Sequence, residues 1–105
     1  MARPVQLDRT EVDAWLAARP TWARDGDRAI ARTFTTPDFA AALALAVEIG
    51  LLAERRDHHP DLHLGWGKLR AVWTTHDAGG VTRLDLELAV ATDALAARAG
   101  GRATG

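Results

Sequence analysis

The run KLRAVWTTH, Lys68 to His76, alternates with period two: Leu69, Ala71, Trp73 and Thr75 fall on one side, Lys68, Arg70, Val72, Thr74 and His76 on the other. Such alternation belongs to a strand with two different faces. A strand needs a partner, and Leu62 to Trp66, just before it, reads as the other arm of a hairpin. The arrangement occurs once more upstream. Two short extended runs flank Asp25-Gly26, a turn dipeptide, and Ile30, Arg32 and Phe34 recur at period two. Two hairpins dictate antiparallel pairing, which constrains the fold more than any other feature.

Helical patterns fill the remainder. Asp8 as N-cap, with Glu11 three residues on and Leu7 stapled to Val12, starts a first helix that Pro20 ends; Val12, Trp15, Leu16 and Arg19 share a face. Thr36-Pro37 predicts the start of a second, with proline at the first helical position, where its missing N–H costs nothing. It is expected to run to about Arg56 and to line an apolar face with Phe39, Leu43, Ala46, Gly50 and Ala53. After the turn DAGG, Thr82 paired with Asp85 and Val81 with Leu86 begins a third helix ending near Ala99. The order α-β-β-α-β-β-α predicts an α+β fold, a four-stranded antiparallel sheet with helices packed on one face. The other face, or an edge, is left for a ligand or a partner.

A chain of 105 residues fits one domain, residues 1–105, with a core from about 7 to 97 and a small, polar C-terminal tail expected to fray. A net charge of -1 gives no electrostatic footprint for nucleic acid or an anionic membrane. The absence of cysteine excludes disulfides, iron–sulfur clusters and thiolate zinc sites. Asp8, Arg9 and Glu11 interrupt any signal-peptide core, and the longest apolar stretch, Phe39 to Ala53, contains Glu48 and is too short to span a bilayer. The expected address is cytoplasmic.

All four histidines fall between Ala53 and Asp85, in AERRDHHPDLHLGWGKLRAVWTTHDAGGVTRLD. If the second helix persists, Glu54 lies one turn before His58 and can orient its imidazole. Pro60 disfavours the helical region for His59, so the histidine pair should leave one fixed corner in different directions. His76 is expected at a strand end, and Asp85 beside the free N–H groups of a helix start. Singly, each has an ordinary explanation: His76 as surface, Asp85 as a capping residue, His63 as a half-exposed strand position. The adjacent pair is harder to explain away. His58, His59 and His63 offer a loop metal site, but Pro60 denies the helical i, i+4 spacing and no HExxH pattern is present. Acid/base chemistry suits imidazole better, since its unperturbed pKa is roughly 6.5.

This stretch resembles the signature of the pterin-4a-carbinolamine dehydratases: a glutamate, three residues, His-His-Pro, an aromatic six positions after the proline, a histidine ten further on and an aspartate nine beyond that. Glu54, His58, His59, Pro60, Trp66, His76 and Asp85 keep every interval, and TTHDAGG and Thr82 strengthen the match. Weaker similarity, through Trp22, Ile30, Arg32, Phe34 and Phe39, extends it from about Leu7 to Ala97. The resemblance implies a helix-decorated antiparallel sheet and a hydro-lyase that needs no metal or cofactor. It would eliminate water from 4a-hydroxytetrahydropterin, the product left by aromatic amino acid hydroxylases, to give quinonoid dihydropterin. By the same resemblance His58, His59, His76 and Asp85 are catalytic, and Glu54, Asp57, Pro60, Leu62 and Trp66 bind substrate. His58 is the preferred acid, backed by Glu54, with His76 across the ring and His59 mainly in binding. A homodimer by edge pairing is expected, and a tetramer through helix faces is open to it; neither nucleic acid nor membrane is an expected partner.

The chain departs from the pattern at Leu62, where many members carry an aromatic, and at Trp66-Gly67, where many have tyrosine-asparagine. The competing class is a non-catalytic interaction module of the same fold, coactivator-like or an assembly factor. A complete imidazole cluster is what separates the two, because a scaffold has no chemical need for it.

Overall fold

The structure, a computed structural model, describes residues 4–99, so most of the tail expected to fray lies outside the described residues. In order the elements are α1 (Arg9–Ala17), β1 (Ala23–Asp25), β2 (Ala29–Thr35), α2 (Phe39–Arg56), β3 (Asp61–Gly65), β4 (Lys68–Trp73), a 3-10 turn (His76–Ala78) and α3 (Arg83–Arg98). The strands form one antiparallel sheet in the order β1-β2-β4-β3. This is the α+β arrangement that the two hairpins predict.

The alternation in β4 reports the two faces of the sheet. Leu69, Ala71 and Trp73 are fully buried and join Ile30 and Phe34 of β2 with Val12, Leu45, Ile49, Ala53 and Leu88 of the helices in one core. On the opposite face, among the described residues, only Ala29, Ala31 and Val72 cluster. Arg70 of β4 bonds Asp25 of β1 at 3.2 Å, and the register places Ala31 of β2 between them. That ion pair therefore lies across the small residues and helps shield them. Arg32 shares the helix-facing side with Ile30 and Phe34. It is accommodated there because Asp93 of α3 meets it at 2.6 Å, while its guanidinium lies 4.4 Å over the Phe34 ring. The same carboxylate accepts the Trp22 indole N–H at 2.9 Å, so one α3 residue ties both hairpin-side groups.

Four local expectations need correction. Asp8 is the N-cap of α1, but its side chain makes no capping bond. The N-cap of α2 is Asp38, whose carboxylate accepts from the Ala41 N–H at 2.8 Å; Thr36 and Pro37 precede the helix. A carboxylate two residues downstream displaces the Thr-Pro start because it reaches an orphan N–H directly. The face of α2 also differs. Ala42, Leu45, Ile49 and Ala53 face the sheet, whereas Phe39 and Leu43 are exposed. Apolar residues surround this helix almost completely, so periodicity alone does not select a side. Finally, β4 ends at Trp73 rather than His76. The chain turns at Thr75, which bridges to Gly80, and His76 opens the 3-10 turn that Gly79 closes at φ 84.

Candidate active site

The C-terminus of α2, the end of β4 and the start of α3 meet at one corner of the sheet. α2 stops because Asp57 takes the left-handed conformation (φ 50, ψ 42), with its N–H bonded to Glu54 and that of His58 to Ala53. Those two reverse bonds close a Schellman turn, a motif that usually employs glycine at the left-handed position. Pro60 then holds the chain extended into β3. His58 and His59 leave this corner toward different partners, as the sequence implied.

His58 turns inward. Its ring stacks on Trp73, centroids 5.8 Å apart and 14° between planes, and its Nε2 lies 2.7 Å from Asp85 Oδ1. A carboxylate only accepts, so Nε2 carries the proton. Asp85 is fully buried in the first turn of α3. Its Oδ2 accepts the Thr82 backbone N–H and the Thr75 hydroxyl, both at 2.8 Å, and the Thr82 hydroxyl lies 3.3 Å away. The capping box read from Thr82 and Asp85 is thus present, and the same carboxylate that caps α3 also orients His58. Trp73 is fixed in turn, donating its indole N–H to Thr92 at 3.2 Å.

His59 points to the surface, 2.5 Å from Glu54. His76 is exposed on the 3-10 turn. Together the three imidazoles line a shallow cleft of about 250 Å³ with Asp57, Thr74 and Thr75. The end of β4 is tied to the first hairpin by the Thr74 hydroxyl, which donates to the Arg28 carbonyl. Among the described residues, no group of three or more His, Asp or Glu side chains is arranged to hold a metal ion.

The family model described as Pterin 4 alpha carbinolamine dehydratase matches residues 5–95. This chain belongs to that family. A provisionally named pterin-4-alpha-carbinolamine dehydratase of Bradyrhizobium sp. (strain ORS 278) is 51% identical over 81 residues, which cover 76% of this chain and 81% of that protein. A provisionally named one of Chloroflexus aggregans is 41% identical over 88 residues, covering 84% and 94%. The crystal structure of a transcriptional coactivator/pterin dehydratase from Brucella melitensis superimposes with a TM-score of 0.80 at 34% identity, covering 87% of this chain and 98% of the other.

Of the positions that match the pterin-4a-carbinolamine dehydratase signature, the cleft gathers His58, His59 and His76, with Asp85 bonded beneath His58 and Glu54 beside His59. The pairing of Glu54 with His58 expected from helical spacing does not form. The left-handed turn at Asp57 takes His58 off the helical track, and Asp85 becomes its partner instead. Leu62 and Trp66 do not line the cleft. Leu62 packs against the core on the helix side of the sheet, and Trp66 sits 72% exposed at the tip of the β3–β4 hairpin. That tip is at the far end of β4 from Thr75. Thr75 and Trp73 hold the site without having been assigned to it. The available signal was a hydroxyl at an inward position of a strand, where a buried polar atom demands a partner.

Proposed function

We propose that this protein is a 4a-hydroxytetrahydrobiopterin dehydratase acting in pterin recycling, with histidine acid/base catalysis and no metal or cofactor. The observation that carries the reading is the His58–Asp85 pair at the floor of a cleft edged by His59 and His76. Elimination breaks the C4a–O bond and removes the N5 proton, forming the C4a=N5 double bond. The oxygen departs as water once an acid supplies a proton. With Nε2 held by Asp85, Nδ1 of His58 is the ring nitrogen that exchanges a proton with substrate. Two imidazoles on opposite sides of the ring, His58 and His76, would serve as acid and base. A positioned group of this kind contributes about 10²–10⁴-fold. His59, held by Glu54 at the rim, binds the ring.

The proposed setting is a cytoplasmic homodimer. Stopped-flow absorbance of freshly generated 4a-hydroxytetrahydropterin tests the assignment: purified protein should speed its dehydration well above the spontaneous rate. No acceleration would remove the assignment.

One observation favours a second reading alongside the first, that of an interaction module. Phe39, Leu43, Val47 and Leu51, spaced by four along α2, are 43%, 44%, 52% and 56% exposed. A continuous apolar stripe of this kind on a small domain marks a contact surface. Apposed on a second dimer it would give a tetramer. Light scattering of a Leu43→Glu, Leu51→Glu variant tests this, since a mass equal to that of the unaltered protein would count against any self-contact there.

A further inference from the structure

A second hollow adjoins the cleft. It measures about 220 Å³, is lined by Arg28, Ala29, Thr74, His76 and Gly79, and has Thr74 and His76 as walls in common with the cleft. The cleft alone, at about 250 Å³, is smaller than the roughly 300–1,000 Å³ usual for a small-molecule site, whereas the two joined fall within that range. Their charge differs. Asp57 and Asp77 border the cleft, while no carboxylate lines the hollow, where the permanent charge is the Arg28 guanidinium.

Arg28 stands at the turn between β1 and β2, and its carbonyl accepts the Thr74 hydroxyl, which holds this turn against the end of β4. The neighbouring charges of the first hairpin are engaged elsewhere: Arg24 with Asp13 at 2.8 Å, Asp25 with Arg70 at 3.2 Å and Asp27 with Arg9 at 3.5 Å. Arg28 itself is exposed, and among the described residues no carboxylate pairs with it. A guanidinium stays charged throughout the neutral range and presents a planar fork of donors that fits a carboxylate or a phosphate.

The chemistry of a pterin decides which part of it reaches the hollow. Dehydration engages C4a and N5, and C6, the carbon that bears the substituent, is bonded to N5. His76, assigned above to that reaction, is also the wall between the two spaces. A substituent on C6 therefore leaves the ring beside His76 and extends past it toward Arg28. An anion at its end is repelled by the carboxylates of the cleft and attracted by the guanidinium of the hollow.

We propose that this hollow is a subsite for the C6 substituent, and that Arg28 selects 4a-hydroxytetrahydropterins whose C6 chain ends in an anionic group, a phosphate ester or a carboxylate. This rests on the pterin reading above and adds to it a preferred class of substrate. Neutral, biopterin-type pterins react by the same steps, and anionic tails bind better.

Steady-state rates with three substrates test it. All share the ring and a short C6 chain, which ends in a hydroxyl, a phosphate ester or a carboxylate. The readout is the ratio of kcat/KM, anionic over neutral, within each protein, which cancels any general loss of activity. In the unaltered protein at low salt the ratio should be about five-fold or more, carried by KM, and should shrink as ionic strength rises. Arg28→Ala should bring it to one or below, Arg28→Lys should retain part of it, and Arg28→Glu should reverse it. All three variants keep the carbonyl that Thr74 bonds and change an exposed side chain, so the fold is spared. A gain with either anion supports the subsite, and the two arms tell a phosphate ester from a carboxylate. A ratio of one in unaltered protein that turns over the neutral pterin, or a preference that survives Arg28→Glu, overturns the subsite and leaves the pterin reading standing. Turnover of none of the three removes the pterin reading and the subsite with it.

Discussion

His58 Nε2 lies 2.7 Å from Asp85 Oδ1, although 27 residues separate the two in the chain. The contact joins the end of one helix to the start of another. Asp85 also accepts from Thr75 and from the Thr82 backbone, so its position is held by contacts independent of His58. An imidazole held this way has one nitrogen engaged and leaves the other for the proton transfer proposed above.

Asp85→Asn keeps the volume but puts an amide where the imidazole N–H needs a pure acceptor. Turnover is expected to fall by about 10²-fold or more, with His58→Ala at least as severe. Stopped-flow rates would show it. An Asp85→Asn rate within a few-fold of the parent would mean that the pair is structural only.

The two histidines should differ in stability as clearly as they agree in catalysis. His58 has a side chain only 13% exposed, and its removal leaves a buried carboxylate short of a partner. That loss costs about 1–3 kcal/mol. His76 is exposed on its turn, and His76→Ala should change stability by no more than about 0.5 kcal/mol. Urea unfolding curves at constant slope compare them, and equal midpoints would contradict the burial argument.

Thr75→Val and Thr75→Ser separate the hydroxyl from the shape. Valine removes the 2.8 Å donor to Asp85 and leaves a buried acceptor under-satisfied, a cost of about 1–3 kcal/mol. Serine retains the donor and should rescue both midpoint and rate. If valine and serine behave alike, the hydroxyl has no part in holding Asp85.

Asp57 holds a positive φ at the turn that ends α2. Asp57→Gly relieves that conformation and should raise stability by about 0.5–1 kcal/mol, after the added freedom of the unfolded chain is subtracted. Asp57 also lines the cleft, so KM is expected to rise while the melting temperature increases. A lowered melting temperature would show that the side chain, not the backbone, secures this corner.

Exhaustive chelation should leave dehydratase activity intact, because the proposed steps use only imidazole and carboxylate groups. Stoichiometric zinc or iron, with activity lost on its removal and restored on its return, would replace the acid/base reading by a metal one.

Much of the fold was legible locally. The alternation of Leu69, Ala71 and Trp73 against Arg70 and Val72 determined a two-faced strand, the Asp25-Gly26 turn determined a hairpin, and Thr82 with Asp85 determined where α3 begins. These signals survive because each depends on neighbours a few residues apart. The spacing of Glu54, His58, His59, Pro60, Trp66, His76 and Asp85 likewise identified the family, since matching intervals need no coordinates.

Which partner each group takes was decided only in three dimensions. Helical spacing assigned Glu54 to His58; one left-handed residue, Asp57, gave His58 to Asp85 and left Glu54 to His59. The face of α2 followed the same rule, because a helix apolar nearly all round contains no local instruction about which side meets the sheet. Local pattern thus settled the order of the elements and the family. The packing of α2 and α3 against β4 settled which hydrogen bonds those groups make, because hydrogen bonds between distant residues exist only after the helices have docked.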